Sequence, residues 1–195
     1  MPDQPSSAAV RRMIIEFLDR TASTPDYSDG PGCCGMHHRT AMVLATCHDS
    51  QPRATVLEFF HEGLTLWALG VPGGKIANLR RNTRVSAVIY EQPMDHAVVQ
   101  HSLQLLGTAE LITIRSRPRL FQSRLKRWNM DVVMTRLLEP LAARKGLAGA
   151  DAAAFIRAQI DACSFIRIDP HRIIFKEYRP DFTMHSHVLN VRPKS

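Results

Sequence analysis

The stretch TAMVLATCHDSQPRATVLEFFHEGLTLWAL, Thr40 to Leu69, decides the architecture. Three β-rich runs, Thr40–Cys47, Pro52–Phe60 and Leu64–Leu69, are separated by the turns HDSQ and HEG. Runs of Val, Leu, Thr and Phe bounded by Asp, Ser, Pro and Gly read as strands. Connections this short join antiparallel neighbours, because a parallel pair needs a long crossover. The stretch therefore predicts an antiparallel three-strand meander rather than a βαβ unit.

Downstream lies GVPGGKIANLRRNTRVSAVIY, Gly70 to Tyr90. A strand ends in a glycine-rich turn, and a lysine opens a short helix from Lys75 to about Arg81. A further strand, Arg84–Tyr90, follows. The stretch is neither a Walker P-loop nor a GxGxxG turn. Its chemistry still suits an anion. Gly73 and Gly74 permit close backbone approach, Lys75 supplies a mobile charge, and the new helix presents free N–H groups. Arg53 and Thr55 are two residues apart on the second strand, so they share a face. They make a second basic and hydroxyl pair.

Beyond the crossing segment EQPMDHAVVQH, the run Ser102–Ile112 alternates. Ser102, Gln104, Thr108 and Glu110 fall on one face, and Leu103, Leu105, Ala109 and Leu111 on the other. Gly107 marks a close backbone approach or a bulge. Helical patterns occupy Pro118–Trp128, Val132–Lys145 and Asp151–Ala162, with Pro140 interrupting or kinking the second. SFIRID and HRIIFKEY return to strand. At the start, Ser7 caps a helix to Ala22, with Val10, Met13, Ile14, Phe17 and Leu18 on one stripe. The 195 residues make one domain of α+β class, mainly β with helices. Its parts are an N-terminal helix (7–22), an antiparallel barrel core (40–112), a helical insertion (117–162), final strands (164–178) and a C-terminal tail (179–195).

Net charge is +7, which favours anionic partners without choosing among them. Arg115, Arg117, Arg119, Arg124, Lys126 and Arg127 cluster with Phe121 and Trp128 interleaved. The cluster reads as a solvated helix face or, in a lower-ranked alternative, a nucleic-acid patch. No apolar run is long enough to span a membrane, and the first residues do not read as a signal peptide. The four cysteines, Cys33, Cys34, Cys47 and Cys163, suit reduced thiols in the cytoplasm. Cys47 and Cys163 read as core.

The order MVLATCHDSQPRATVLEFFHEGLTLWAL, a Gly-Lys turn, IANLRRNTRVSAVIY and LQLLGTAELI resembles the FMN-binding split-barrel superfamily of pyridoxamine 5′-phosphate oxidase, from about Thr40 to Ile112. A weaker echo lies at DPHRIIFKEY. The resemblance implies an antiparallel split β-barrel with an inserted helical segment. It implies FMN held at a homodimer interface, and an oxidoreductase or electron carrier acting on a small molecule. It implies that Lys75 and Arg53 hold the phosphate. Backbone from Thr55 through Val56 and Leu57 to Glu58, and from Leu69 through Gly70 to Val71, would support the ring, and Ala54 is counted among the cofactor-binding residues. Asn78 and Arg81 either reach the phosphate or only cap and solvate the short helix. Gln104 either crosses the dimer interface to the flavin or is an exposed strand residue. Trp67 reads as barrel core or dimer interface. The C-terminal RPDFTMHSHVLNVRPKS does not reproduce the substrate-binding end of the oxidase itself.

CCGMHH departs from the family pattern, placing Cys33, Cys34, His37 and His38 together; His185 and His187 form a second group. A metal or haem site there is the alternative to a glycine-bounded loop at the barrel mouth. Adjacent side chains in extended backbone point to opposite faces, which argues against one shared metal. No hydrolytic motif occurs, and His38, His61 and His96 are the proton-donor candidates. In a flavoprotein the cofactor carries the redox chemistry and the chain supplies binding and orientation.

Overall fold

The computed structural model describes residues 5–28, 35–91 and 99–192. Cys33, Cys34 and His96 lie outside them. Helix α1 (Ser7–Thr21) is followed by strands β1 (Thr24–Pro25), β2 (Met36–His37), β3 (Met42–His48), β4 (Gln51–Leu57), β5 (Phe60–Glu62) and β6 (Thr65–Gly70). Then come α2 (Gly74–Arg81), β7 (Arg84–Tyr90), β8 (Gln100–Ile112), α3 (Pro118–Arg127), α4 (Met130–Arg144), α5 (Gly149–Ala162), β9 (Ser164–Tyr178) and β10 (Met184–Asn190). The main sheet is antiparallel, in the order β4-β3-β7-β8-β9-β6-β5, with β10 added on β9.

The expected meander is corrected here. The hairpin β3–β4 forms, closed by Asp49 and Ser50, both left-handed at φ 49° and 60°. But β4 does not pair with β6. The run Pro52–Phe60 breaks after Leu57, and β6 pairs with the short β5 and with β9. The β4 ladder ends at Leu57 and β5 begins at Phe60, with Phe59 packed in the barrel core and Phe60 in the second core as the chain passes from one edge of the sheet to the other. Among the described residues no ladder joins β4 to β5 or β6, and this makes the barrel split.

Two cores follow from this layout. Inside the barrel, Leu44, Leu66, Ile89, Leu103, Ile166 and Phe175 pack with Ile14, Phe17 and Leu18 of α1. Burying each large apolar side chain contributes about 1.5–3 kcal/mol. Outside, Phe60, Trp67 and Phe165 meet Phe121, Trp128, Met134 and Ile160 of the helical insertion. Trp67 therefore belongs to the core under the helices. Arg124 lies 4.8 Å over Trp67 and donates to Glu62 at 2.7 Å.

Smaller corrections concern caps and ends. Ser6 rather than Ser7 caps α1, its hydroxyl accepting from the Ala9 N–H. Left-handed Asn129 starts α4 at Met130, and α4 runs through Pro140 to Arg144. Cys163 is buried while Cys47 is only half-buried. The expected tail contains β10, which pairs with β9 along its full length. Among the described residues no helix is long and apolar enough to cross a membrane.

A chain of charges ties α1 to the barrel. Arg20 binds Glu91 at 3.1 Å, Glu91 meets His101 at 3.3 Å, and Glu177 sits between His101 and His187. Burial pushes the Glu91 carboxyl up, but the Arg20 hydrogen bond and charge outweigh it, and the net shift is downward. A depressed carboxylate adds stability above its ordinary pKa and loses it as pH falls through the folded value. Stability should therefore drop from about pH 4.5 downward. In Arg20→Gln the protein should be less stable at pH 7 and its further loss on acidification smaller. Urea midpoints at pH 7 and pH 3 check this, and identical pH slopes in both proteins would refute it.

Candidate functional site

Strand β4 is an edge strand, and its two faces have different surroundings. Arg53, Thr55 and Leu57 oppose Thr46, Leu44 and Met42, whose side chains are buried, so they share the inner face. Ala54 and Val56 oppose Ala45 and Val43 on the outer face.

The inner face leads to the start of α2. A Cβ added at Gly74 would lie 2.7 Å from the Arg53 guanidinium carbon, so the absence of a side chain lets that guanidinium lie against the first turn of the helix. Gly73, the N-cap, offers no side-chain cap. The helix therefore begins with N–H groups that no capping side chain satisfies. Lys75 is only 9% exposed, its ammonium 3.5 Å from the Val71 carbonyl. Burial lowers the Lys75 pKa, the Arg53 charge adds to the lowering, and interaction with the Cys163 thiol opposes it. Two cations and an open helix start converge with no carboxylate among the contacts described for them. This is the donor set of an anion site.

Further along β4 opens a cavity of about 600 Å³. Val56, Leu57, Glu58, Leu69 and Val71 form one wall. Met130, Val133, Met134, Arg136 and Leu137 of α4 form the opposite one, with His38, Ala41 and Phe60 completing it. From Arg53 to Leu57 is four residues of strand, about 13 Å. The anion site and the apolar cavity thus share one strand at that spacing.

The other sequence candidates fall differently. Gly70 packs against Ile76 and Ile166 rather than lining the cavity. Asn78 donates to the Thr46 hydroxyl, and Arg81 meets His48, so both fasten α2 to β3. Gln104 is exposed on the outer face of β8, in a cross-strand row running Val56, Val43, Val88, Gln104, Ile174.

His37 and His38 part company, His37 toward Asp26 at 3.8 Å and His38 to Glu58 at 2.9 Å. Among the described residues no group of His, Cys, Asp or Glu is arranged to hold a metal. His61 bridges Asp19 and the Gly63 carbonyl away from the cavity, which leaves His38 as the histidine lining it. The α4 wall carries no motif in the sequence. Its only signal was the spacing of Met130, Met134 and Leu137 at i, i+4 and i+7. Of the basic cluster, Arg117 pairs with Glu110, while Arg124 and Arg127 pair with Glu62.

Curated proteins provide no match to this chain. Several solved structures resemble this chain at low identity. An FAD-binding protein from Mesorhizobium loti is 22% identical, with TM-score 0.48 over 71% of this chain and 86% of its own. General stress protein 26 from Bacillus anthracis is 16% identical, with TM-score 0.46 over 78% and 89%. A heme binding protein from Mycobacterium smegmatis is 16% identical, with TM-score 0.49 over 95% and 59%. The family model described as pyridoxamine 5′-phosphate oxidase matches residues 35–176. That span runs from β2 through the split barrel and the helical insertion into β9, and the chain belongs to the pyridoxamine 5′-phosphate oxidase family.

Proposed function

We propose that the protein binds FMN and works as an oxidoreductase or electron carrier for a small molecule. The observation that carries this is the joint placement on β4 of an anion site and an apolar cavity. Their spacing suits a phosphate joined to a planar ring by a short flexible chain. Arg53, Lys75 and the first turn of α2 would hold the phosphate, and Val56, Leu57, Glu58, Leu69 and Val71 would line the ring. When bound, the flavin supplies hydride or electron transfer. The chain binds it, orients it and keeps water from one of its faces.

A second copy of the chain completes the proposed site. The apolar residues Val56, Val43 and Val88 stand exposed in one row beside Gln104. Such a face suits an isologous dimer contact, in which each copy offers the same patch. The unpaired thiols Cys47 and Cys163 agree with a reducing, cytoplasmic setting. A haem reading keeps one observation in its favour, His38 beside an apolar cavity.

The visible spectrum of the purified protein, with FMN titration of any colourless fraction, tests this. A two-band flavin spectrum releasing FMN, or saturable FMN uptake, is expected. A Soret band would move the assignment to haem, and a colourless protein that takes up neither would overturn it.

A further inference from the structure

A second cavity, of about 800 Å³, lies at the opposite end of β6 from the cavity beside β4. Thr65 opens β6 and lines this second cavity, whereas Leu69, four residues on and about 13 Å along the strand, lines the first. The two cavities share no lining residue. The walls of the second come from the start of α1, the β5–β6 turn, the middle of β9 and the end of β10. Its volume lies within the range that holds a drug-sized molecule. Leu64, Pro170 and Leu189 supply buried apolar surface to it.

Charge is distributed unevenly around this surface. Two carboxylates line the cavity, and both are already held. Asp169 forms a two-point ion pair with Arg167, at 3.0 and 3.2 Å, and accepts a hydrogen bond from the Thr65 hydroxyl at 2.9 Å. Glu62 is held by Arg124 at 2.7 Å and Arg127 at 3.4 Å, neither of which lines the cavity. Two further arginines complete the lining. Arg11 lies one turn beyond Ser7 on α1, and both residues face the cavity. Arg192 follows Val191, whose N–H donates to the His171 carbonyl at 2.9 Å, so the chain is still fastened to β9 where Arg192 leaves it. Both arginines are exposed, and among the described residues neither takes part in an ion pair.

A guanidinium is a planar fork that matches an oxyanion with two oxygens. Arg11, Arg167 and Arg192 against Glu62 and Asp169 leave the lining one positive charge in excess, which a single negative charge balances. We propose that this cavity binds an apolar monocarboxylic acid, with the chemistry of a medium-chain fatty acid. Its carboxylate is held by Arg11 and Arg192, and its chain lies on Leu64, Pro170 and Leu189. Arg167 stays with Asp169 and shapes the wall. The site is distinct from the anion site of Arg53 and Lys75, and it does not rest on flavin binding.

The test uses the full-length protein and 11-(dansylamino)undecanoic acid, whose emission strengthens in apolar surroundings. Wild-type protein should bind it saturably. Decanoate should displace it, whereas decanol and inorganic phosphate at the same concentration should not, because head and body are both needed. Arg11→Glu and Arg192→Glu should each weaken probe binding about tenfold, and the double variant about a hundredfold or more. Urea midpoints of these variants should stay close to wild type, since each change falls at an exposed position. Leu137→Asp, in the first cavity, should leave probe affinity within about twofold of wild type, and the double arginine variant should do the same for the FMN dissociation constant. Affinity equal in all arginine variants, displacement by decanol as effective as by decanoate, or no saturable binding by wild type would overturn the site. A loss confined to Leu137→Asp would place the acid in the first cavity and overturn it as well. Failure of wild type to take up FMN, with probe affinities ordered as above, would remove the flavin proposal and leave this site standing.

Discussion

Gly107→Ala should lower the stability of the fold by about 3 kcal/mol or more. A Cβ at this position would lie 2.5 Å from the Asp169 carbonyl oxygen and 3.0 Å from the Pro170 Cα, both backbone atoms. No rotamer change relieves such a contact, so β8 and β9 must move apart at the centre of the sheet. That pair is the longest ladder in the molecule, running from Gln100↔Tyr178 to Ile112↔Phe165. Overpacking a well-fitted interior costs about 1–3 kcal/mol and occasionally more. Here the clash is with backbone on a central ladder, so about 3 kcal/mol or more is expected, a large part of the 5–15 kcal/mol a domain commonly holds. Urea denaturation followed by circular dichroism would measure it. A loss below about 1 kcal/mol would mean that the two strands yield far more easily than their pairing implies.

The same glycine shows how much of the fold can be read from the chain. Alternation along Ser102–Ile112 placed Leu103, Leu105 and Ala109 inward, and all three are buried. Period-2 patterning holds there because one face meets the barrel interior and the other does not. It weakens at Leu111 and Ile112, where β8 passes from the barrel core to the helical core and Ile112 becomes the buried residue. Two cores on opposite sides of one sheet bury both faces of a strand, and alternation then carries no signal. Strand β6 is the clearest case, with Leu66 and Ala68 facing one core and Trp67 the other.

Pairing partners were less legible than strands. Short turns suggested that each strand pairs with the next, and this holds for β3–β4. The break after Leu57 accompanies the passage of Phe59 and Phe60 into different cores, which is a tertiary matter. Two adjacent large aromatics at the end of an alternating run were the available sign. The join of SFIRID and HRIIFKEY into one strand, β9, was hidden for a related reason. Proline usually limits a strand, but Pro170 sits at a register shift beside Gly107, where the ladder is already irregular. Strand β10 went unread because MHSHVLN is polar on one side and short of apolar residues on the other.

The candidate site divides along the same line. Arg53, Thr55 and Lys75 could be nominated from the sequence because charge and spacing are local properties. The α4 wall could not, because it comes from a helix more than 70 residues away in sequence from β4, brought over the cavity by the packing of the insertion on Phe60 and Trp67.

Lys75→Met should stabilise the ligand-free protein and weaken FMN binding in the same variant. Lys75 is nearly buried and its pKa is lowered, chiefly by that burial. At pH 7 the folded, ligand-free chain therefore holds an ammonium that it solvates less well than water does. The sign follows from proton counting. A lysine whose folded pKa lies below its unfolded value binds fewer protons in the folded state within that window, so stability rises with pH there. The penalty is fully present below the folded pKa and fades as pH climbs toward 10.5, the ordinary lysine value. Methionine keeps most of the apolar stem and removes the charge, so its advantage should be clear at pH 7 and shrink in alkali. Adding FMN reverses the order. A phosphate beside Lys75 gives the ammonium the partner that burial withholds, and a charge-assisted hydrogen bond contributes about 1.5–3 kcal/mol. The dissociation constant should rise about tenfold to a hundredfold in Lys75→Met. Arg53→Ala should weaken FMN similarly but without the gain in ligand-free stability, because Arg53 is exposed. Removal of both cations should abolish retention of FMN through gel filtration. Denaturation midpoints at pH 7 and pH 10, and FMN titrations at pH 7, decide the matter. A ligand-free methionine variant no more stable than wild type, together with an unchanged FMN constant, would show that the buried ammonium is satisfied by its own chain and that the anion site lies elsewhere.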